Sequence, residues 1–166
     1  MQDTLPIHFA PLQGYTEAIY RNAHDAFFGG VDTYYTPFVR LEKGNFRRRD
    51  VRGIEPENNG VPHLIPQLIA SSAEKAEVIL SLFIEKGYQE VDINLGCPFP
   101  LLAKRHNGSG ILPYPEEVKA LLSIVTRYPQ ISFSVKMRLG WEQPDECLAL
   151  APILNDLPLR QITMHP

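Results

Sequence analysis

Cysteine is scarce in this chain: Cys97 and Cys147 are its only thiols in 166 residues, and they lie far apart in different settings. That excludes a disulfide framework and a cysteine-based zinc pattern. Long apolar runs are also missing. None approaches the ~20 residues needed to cross a bilayer. The N-terminal stretch lacks the basic start, apolar run and small-residue cleavage site of a secretory signal. These absences point to the cytoplasm. Positive charge is short as well, with a net charge of −3, so the molecule as a whole does not announce a nucleic-acid binder. His8, His24, His63 and His106 show no paired spacing, so no metal is assigned. What remains is 44% apolar and 21% charged, as in an ordinary globular protein. The length suits one domain, by the rule of roughly 100–200 residues per domain.

The most informative stretch is Val91-Asp92-Ile93-Asn94-Leu95-Gly96-Cys97-Pro98. Its alternation reads as a strand with Asp92 and Asn94 on one face and Val91, Ile93 and Leu95 on the other. Pro98 pushes Cys97 toward an extended conformation. The thiol is then presented at a strand's C-terminal end, where parallel α/β proteins keep their chemistry. The plainer reading makes Cys97 a small buried hydrophobe in a turn.

Along the chain, Ile7 to Ala10 reads as a strand. Thr16 reads as the N-cap of a helix from Glu17 to Phe28 with an apolar stripe of Ala18, Ile19, Ala23, Ala26 and Phe27. Val31 to Thr36 is a second strand, and the basic stretch from about Leu41 to Gly60 reads as a long loop. A strand from His63 to Ile69 and a helix capped by Ser71 or Ser72 precede the central strand. Phe99 to Leu112 reads as a loop, with a flexible Asn107-Gly108-Ser109-Gly110 run that fits neither a P-loop nor a Rossmann fingerprint. A helix from Pro115 to Tyr128, a strand from Ile131 to Arg138, a helix from Asp145 to about Asp156 and a strand from Gln161 to Met164 complete the pattern. Such alternation argues for parallel α/β architecture, either doubly wound or a (β/α)8 barrel. A barrel normally takes ~250 residues, so with about six strands any barrel here is incomplete.

Polar groups recur at strand ends. Gln67 follows the third strand, Lys136 and Arg138 share a face of the fifth, and Thr163 and His165 share a face of the sixth. Inward cations are costly unless paired or facing a ligand, which favours an anionic or electron-rich ligand. The alternatives are an ion pair between Lys136 and Asp92, a satisfied terminal His165, and ordinary loop polarity for Gln67. The basic run from Arg40 to Arg52 reads either as solvated surface or as a local grip on phosphates.

Ala10-Pro11-Leu12-Gln13-Gly14 with Arg21, Pro66-Gln67-Leu68, the Asp92 to Pro98 stretch, Gly108-Ser109-Gly110, Val135 to Gly140 and Thr163-Met164-His165 occur in that order. Together they resemble the tRNA-dihydrouridine synthases, from about Ile7 to the last residue. The resemblance implies an FMN-containing TIM barrel that reduces the C5=C6 bond of a uridine in tRNA, with NADPH reloading the flavin. It implies that Gln67, Lys136 and His165 contact FMN and that Pro11, Leu12, Gln13 and Gly14 line it through backbone. Asn94 and Arg138 would hold the uracil, and Cys97 would be the general acid. Thiols, with a reference pKa of ~8.5, are mostly protonated at neutral pH and suit that role. The same resemblance turns the Arg40 to Arg52 run, Lys104 and Arg105 toward tRNA phosphates.

The family pattern continues with further barrel strands and a helical tRNA-binding domain. Residues 1–166 therefore read as the N-terminal part of the catalytic domain, with those parts absent. Full activity at this length is not expected: the chain reads either as a piece of a longer enzyme, or as a naturally short relative that self-associates through an open barrel edge or has lost catalysis. The alternative to a reductase is a non-catalytic half-barrel that binds RNA or a partner chain. A third reading is an FMN oxidoreductase acting on a free pyrimidine.

Overall fold

The central strand is the axis on which the other elements are arranged. The computed structural model describes residues 5–166. In chain order the elements are β1 (His8–Phe9), α1 (Ala18–Phe27), β2 (Thr33–Tyr35), β3 (Leu41–Glu42), β4 (Asn45–Phe46), α2 (Arg48–Ile54), β5 (Leu64–Ile65) and β6 (Gln67–Leu68). They continue with α3 (Ala73–Glu85), β7 (Glu90–Leu95), α4 (Pro100–Ala103), α5 (Pro115–Arg127), β8 (Ser132–Arg138), α6 (Glu146–Asn155) and β9 (Leu159–His165). Strands β1-β2-β5 form one parallel sheet and β6-β7-β8-β9 another, so the chain is α/β with parallel sheets.

Pro66 explains why the expected third strand is two. It has no N–H to give a ladder, and the strand changes partner there, β5 pairing β2 and β6 pairing β7. Its carbonyl still accepts from the Asp92 N–H at 3.0 Å. Val39 bridges to Leu68, and Arg160 on β9 reaches Glu90 at 3.2 Å and the Tyr35 hydroxyl at 3.4 Å. The two sheets are thus tied by backbone and by side chains.

Strand β7 obeys its alternation. Val91, Ile93 and Leu95, with Phe133, Val135 and Met137 of β8, form the helix-covered face. Against it lie Ala76, Ile79, Leu80 and Phe83 of α3 and Val118, Leu121, Leu122 and Val125 of α5. Each such fully buried large side chain stabilises the fold by about 1.5–3 kcal/mol. Ser72 caps α3 by accepting from the Lys75 N–H, and Pro115 opens α5.

Four expectations are corrected. Thr16 does not cap α1; its hydroxyl accepts from the Leu12 N–H at 2.9 Å and closes the preceding turn. Of the expected apolar stripe of α1 only Ala18 is buried, since Ile19 and Phe27 are 80% and 84% exposed, and Arg21 shares the buried side with Ala18. Arg21 takes that place because its guanidinium donates to the Thr16 carbonyl (2.6 Å), the Gly53 carbonyl (2.7 Å) and Asn59 Oδ1 (2.5 Å). The stretch 41–60 is a β3–β4 hairpin, helix α2 and a 3-10 turn at Pro56–Asn58 rather than a long loop. Buried Asp50 organises it through Arg47 (2.7 Å) and Arg49 (3.6 Å). Finally, the 99–112 segment holds α4 and a buried 3-10 turn at Gly108–Ile111, because it packs on the Cys97 turn.

Candidate active site

In a parallel sheet all C-terminal strand ends lie at one edge, and register brings their side chains into rows. Asn94 pairs Lys136, Lys136 pairs Thr163, and Arg138 pairs His165. One layer down, Gln67 pairs Asp92 and Asp92 pairs Ser134. The expected residues of β6 to β9 therefore share one face, opposite the helix-covered one. Pro11, Leu12, Gln13 and Gly14 follow the C-terminal end of β1, and both amide atoms of Gln13 are buried without a hydrogen-bond partner among the described residues.

Hydrogen bonds connect the lower layer to the thiol loop. The Ser134 hydroxyl (2.5 Å) and Gln67 Nε2 (2.7 Å) donate to Asp92. Asn94 Nδ2 donates to Gln67 Oε1 at 2.8 Å, and Asn94 Oδ1 accepts from the N–H groups of Gly96 (3.0 Å) and Cys97 (2.9 Å). Asn94 thus folds the turn that carries Cys97, a side chain-to-backbone motif typical of Asn. Burial pushes the Asp92 carboxyl above the usual carboxylate range, against the pull of Ser134, Gln67 and the Lys136 charge.

Lys136 and Asp92 do not form the ion pair that the sequence left open: no Lys136 pair appears among the described residues, and Asp92 is satisfied by Ser134 and Gln67. Burial pushes the Lys136 ammonium below the ordinary lysine value, Asp92 opposes the fall, and Arg138 adds to it. A half-buried cation without a carboxylate partner is suited to an incoming electron-rich group. Arg138 is held by its Nε donating to the Gly96 carbonyl at 2.9 Å. His165 is exposed at the end of β9.

The Asn107-Gly108-Ser109-Gly110 run is neither flexible nor open. Gly108, Ser109 and Gly110 are buried, and the Ser109 N–H and hydroxyl both donate to the Cys97 carbonyl at 3.0 Å. Gly108, at φ +60°, lies so close that a Cβ there would meet the Cys97 carbonyl oxygen at 2.5 Å. Cys97 is therefore clamped from both sides, by Asn94 before it and Ser109 after it. Sequence reading missed Ser109 as a support. The available signal was a small-residue run one loop away from the thiol.

Lys104 and Arg105 are exposed just after α4. Arg105 lines a cleft of about 450 Å³ with Arg40, Lys43 and Lys75, and Glu42 is on the same wall. Arg47 is instead committed to Asp50. Among the described residues no cluster of His, Cys, Asp or Glu could hold a metal ion, and no helix is long and apolar enough to cross a membrane.

The sequence model of the family described as dihydrouridine synthase (Dus) matches residues 8–166. A tRNA-dihydrouridine(16) synthase of Haemophilus ducreyi is 28% identical over 176 residues, covering 96% of this chain and 51% of that protein. A tRNA-dihydrouridine synthase B of Pasteurella multocida is 23% identical over 160 residues, covering 96% and 48%. One from Klebsiella pneumoniae is 29% identical over 100 residues, covering 60% and 31%. The chain spans about a third to a half of the length of these relatives. With a match over nearly its whole length, the chain belongs to the dihydrouridine synthase family.

Proposed function

We propose that this chain carries the catalytic edge of an FMN-dependent reductase that converts uridine in tRNA to 5,6-dihydrouridine, with NADPH as the reductant. The observation that carries the reading is the convergence of Asn94, Cys97, Lys136 and Arg138 at one end of β7 and β8, with the Cys97 backbone held on both sides. The fold that suits it is a TIM-type barrel of which these strands form one part.

The residues fit a flavin. Among the described residues Lys136 offers a half-buried ammonium without a carboxylate partner, and the Gln13 amide has no hydrogen-bond partner. Lys136, His165, Gln67 and the Pro11 to Gly14 backbone would hold it, Gln67 with the capacity left after its bonds to Asp92 and Asn94. When bound, FMN supplies the hydride for uracil C6. Negative charge then develops at C5, and Cys97 Sγ gives it a proton. Asn94 and Ser109 fix the thiol's backbone so that the proton is delivered from one position. Arg138, anchored on Gly96, orients the uracil from the adjacent strand. Lys104, Arg105 and the basic cleft take up RNA phosphates, and the base must leave its stack to reach the thiol.

The test begins with the visible spectrum of the purified chain after gel filtration with FMN. A retained flavin band that NADPH bleaches and unmodified tRNA restores, slowly in Cys97→Ala, supports the reading. Restoration by free uridine alone would favour the free-pyrimidine alternative. No retained flavin would favour a half-barrel that binds RNA or a partner without catalysis.

A further inference from the structure

Loop 139–145 follows β8 and carries the chain's one tryptophan, Trp141, which is 39% exposed. The backbone of this loop is held by a network of hydrogen bonds. The Glu146 carboxylate accepts from the N–H groups of Trp141 (2.7 Å), Glu142 (3.0 Å) and Gln143 (3.0 Å). The Cys147 N–H returns to the Leu139 carbonyl at 2.8 Å. Gly140 is required because a Cβ there would collide with the Gln143 carbonyl. Trp141 shares a concavity of about 230 Å³ with Arg138, and Arg138 is tied to the Gly96 carbonyl next to Cys97. Trp141 therefore lies beside Arg138 of the candidate site, on a loop whose backbone is fixed by three hydrogen bonds to Glu146.

We propose that Trp141 is a stacking platform for an unpaired RNA base adjacent to the one held near Cys97, an inference that rests on the RNA-substrate reading above. An indole face accepts any base by stacking, which makes the contact tolerant of sequence. The fixed loop limits the ordering cost of binding. Glu142 lies on the same rim, so this is not a simple phosphate-binding surface and stacking is the contribution Trp141 makes. A base flipped toward Cys97 leaves its neighbour unstacked, and Trp141 replaces the lost partner.

Because Trp141 is the only tryptophan, its emission reports this contact alone. The chain is titrated with unmodified tRNA, a uridine octamer and a blunt RNA duplex, while anisotropy of labelled RNA measures binding independently. We expect saturable quenching by tRNA and the octamer at the Kd read by anisotropy, and none by the duplex. Trp141→Ala should weaken octamer binding about tenfold, with Trp141→Phe restoring most of it. Binding by anisotropy with unchanged emission, or wild-type affinity in Trp141→Ala, overturns this inference alone. Absence of any RNA binding overturns the RNA-substrate reading and this inference with it. Should Trp141→Ala fail to fold, the wild-type quenching curve still decides.

Discussion

A methyl group at position 108 would have nowhere to go. An alanine Cβ would lie 2.5 Å from the Cys97 carbonyl oxygen and 2.9 Å from its Cβ and backbone nitrogen. These are main-chain and Cβ atoms, not the end of a flexible side chain. Reaching ordinary contact distances would displace the Cys97 backbone or the 3-10 turn by about 0.5–1 Å. Two costs add. The left-handed φ of +60° penalises a residue with a Cβ by roughly 1–2 kcal/mol. Overpacking contributes about 1–3 kcal/mol more. Gly108→Ala should therefore lose roughly 2–5 kcal/mol, which for a domain of this size lowers Tm by about 5–15 °C. Thermal unfolding followed by circular dichroism measures this. Alkylation of Cys97 by iodoacetamide, in a Cys147→Ser background, should change rate in the same variant. Where Gly108→Ala is too unstable to purify, Ser109→Ala is the milder perturbation, removing one 3.0 Å bond to Cys97 at a cost of about 0.5–1.5 kcal/mol. A Gly108→Ala protein within about 0.5 kcal/mol of wild type would refute the clamp.

Asp92→Asn addresses the buried carboxyl. Its folded pKa is raised, so the folded chain keeps a proton that the unfolded chain has released, and that stabilisation is present at low pH and lost as pH climbs through the folded value. Urea midpoints from about pH 4 to 8 should therefore decline in wild type relative to Asp92→Asn, and parallel profiles would sink the assignment. Lys136→Met should leave stability unchanged or raise it by up to about 1 kcal/mol, because a desolvated cation is removed. The same variant should retain FMN about tenfold or more weakly, by gel-filtration spectroscopy. Arg21, which burial pushes down to about 10, donates to three oxygens. Arg21→Met should cost roughly 2–4 kcal/mol in urea denaturation, since those acceptors lose their charged donor.

The parallel alternation and the faces of β7 and β8 were legible because strand periodicity is strict and local. Asp92, Asn94, Lys136 and Arg138 fell on one side as their spacing required. The row across strands was not legible, since register between Asn94 and Lys136 depends on helices packed elsewhere. Helix α1 misled for a related reason: its apolar residues suggested a buried stripe, but of these only Ala18 is buried, and Arg21 takes the rest of the side toward the protein. No propensity scale foresees an arginine filling a core position with carbonyl partners 32 and 38 residues away. Asp50 ties the basic stretch together through nearer partners, Arg47 three residues away and the Arg40 N–H ten away. At the site, Cys97 was conspicuous while Ser109 was not, because a serine between glycines looks like a turn until its neighbour across space is known.

The side-chain chain from Ser134 to Cys97 has a direction. Ser134 and Gln67 give hydrogens to Asp92, Asn94 gives to Gln67, and Gly96 and Cys97 give to Asn94. A carboxamide is nearly symmetric in shape, so packing alone does not tell Gln67 or Asn94 which end to turn where. Asp92 breaks that symmetry, because both of its oxygens accept, Oδ1 from the Ser134 hydroxyl and Oδ2 from Gln67 Nε2. Gln67 therefore presents nitrogen to Asp92 and oxygen to Asn94, which in turn presents oxygen to the backbone of Cys97. Asparagine at position 92 would allow the sequence to run either way, and the reversed order would set an NH2 group against two backbone N–H groups. The orientation of the thiol turn is thus encoded two residues upstream, in a side chain that makes no hydrogen bond to it.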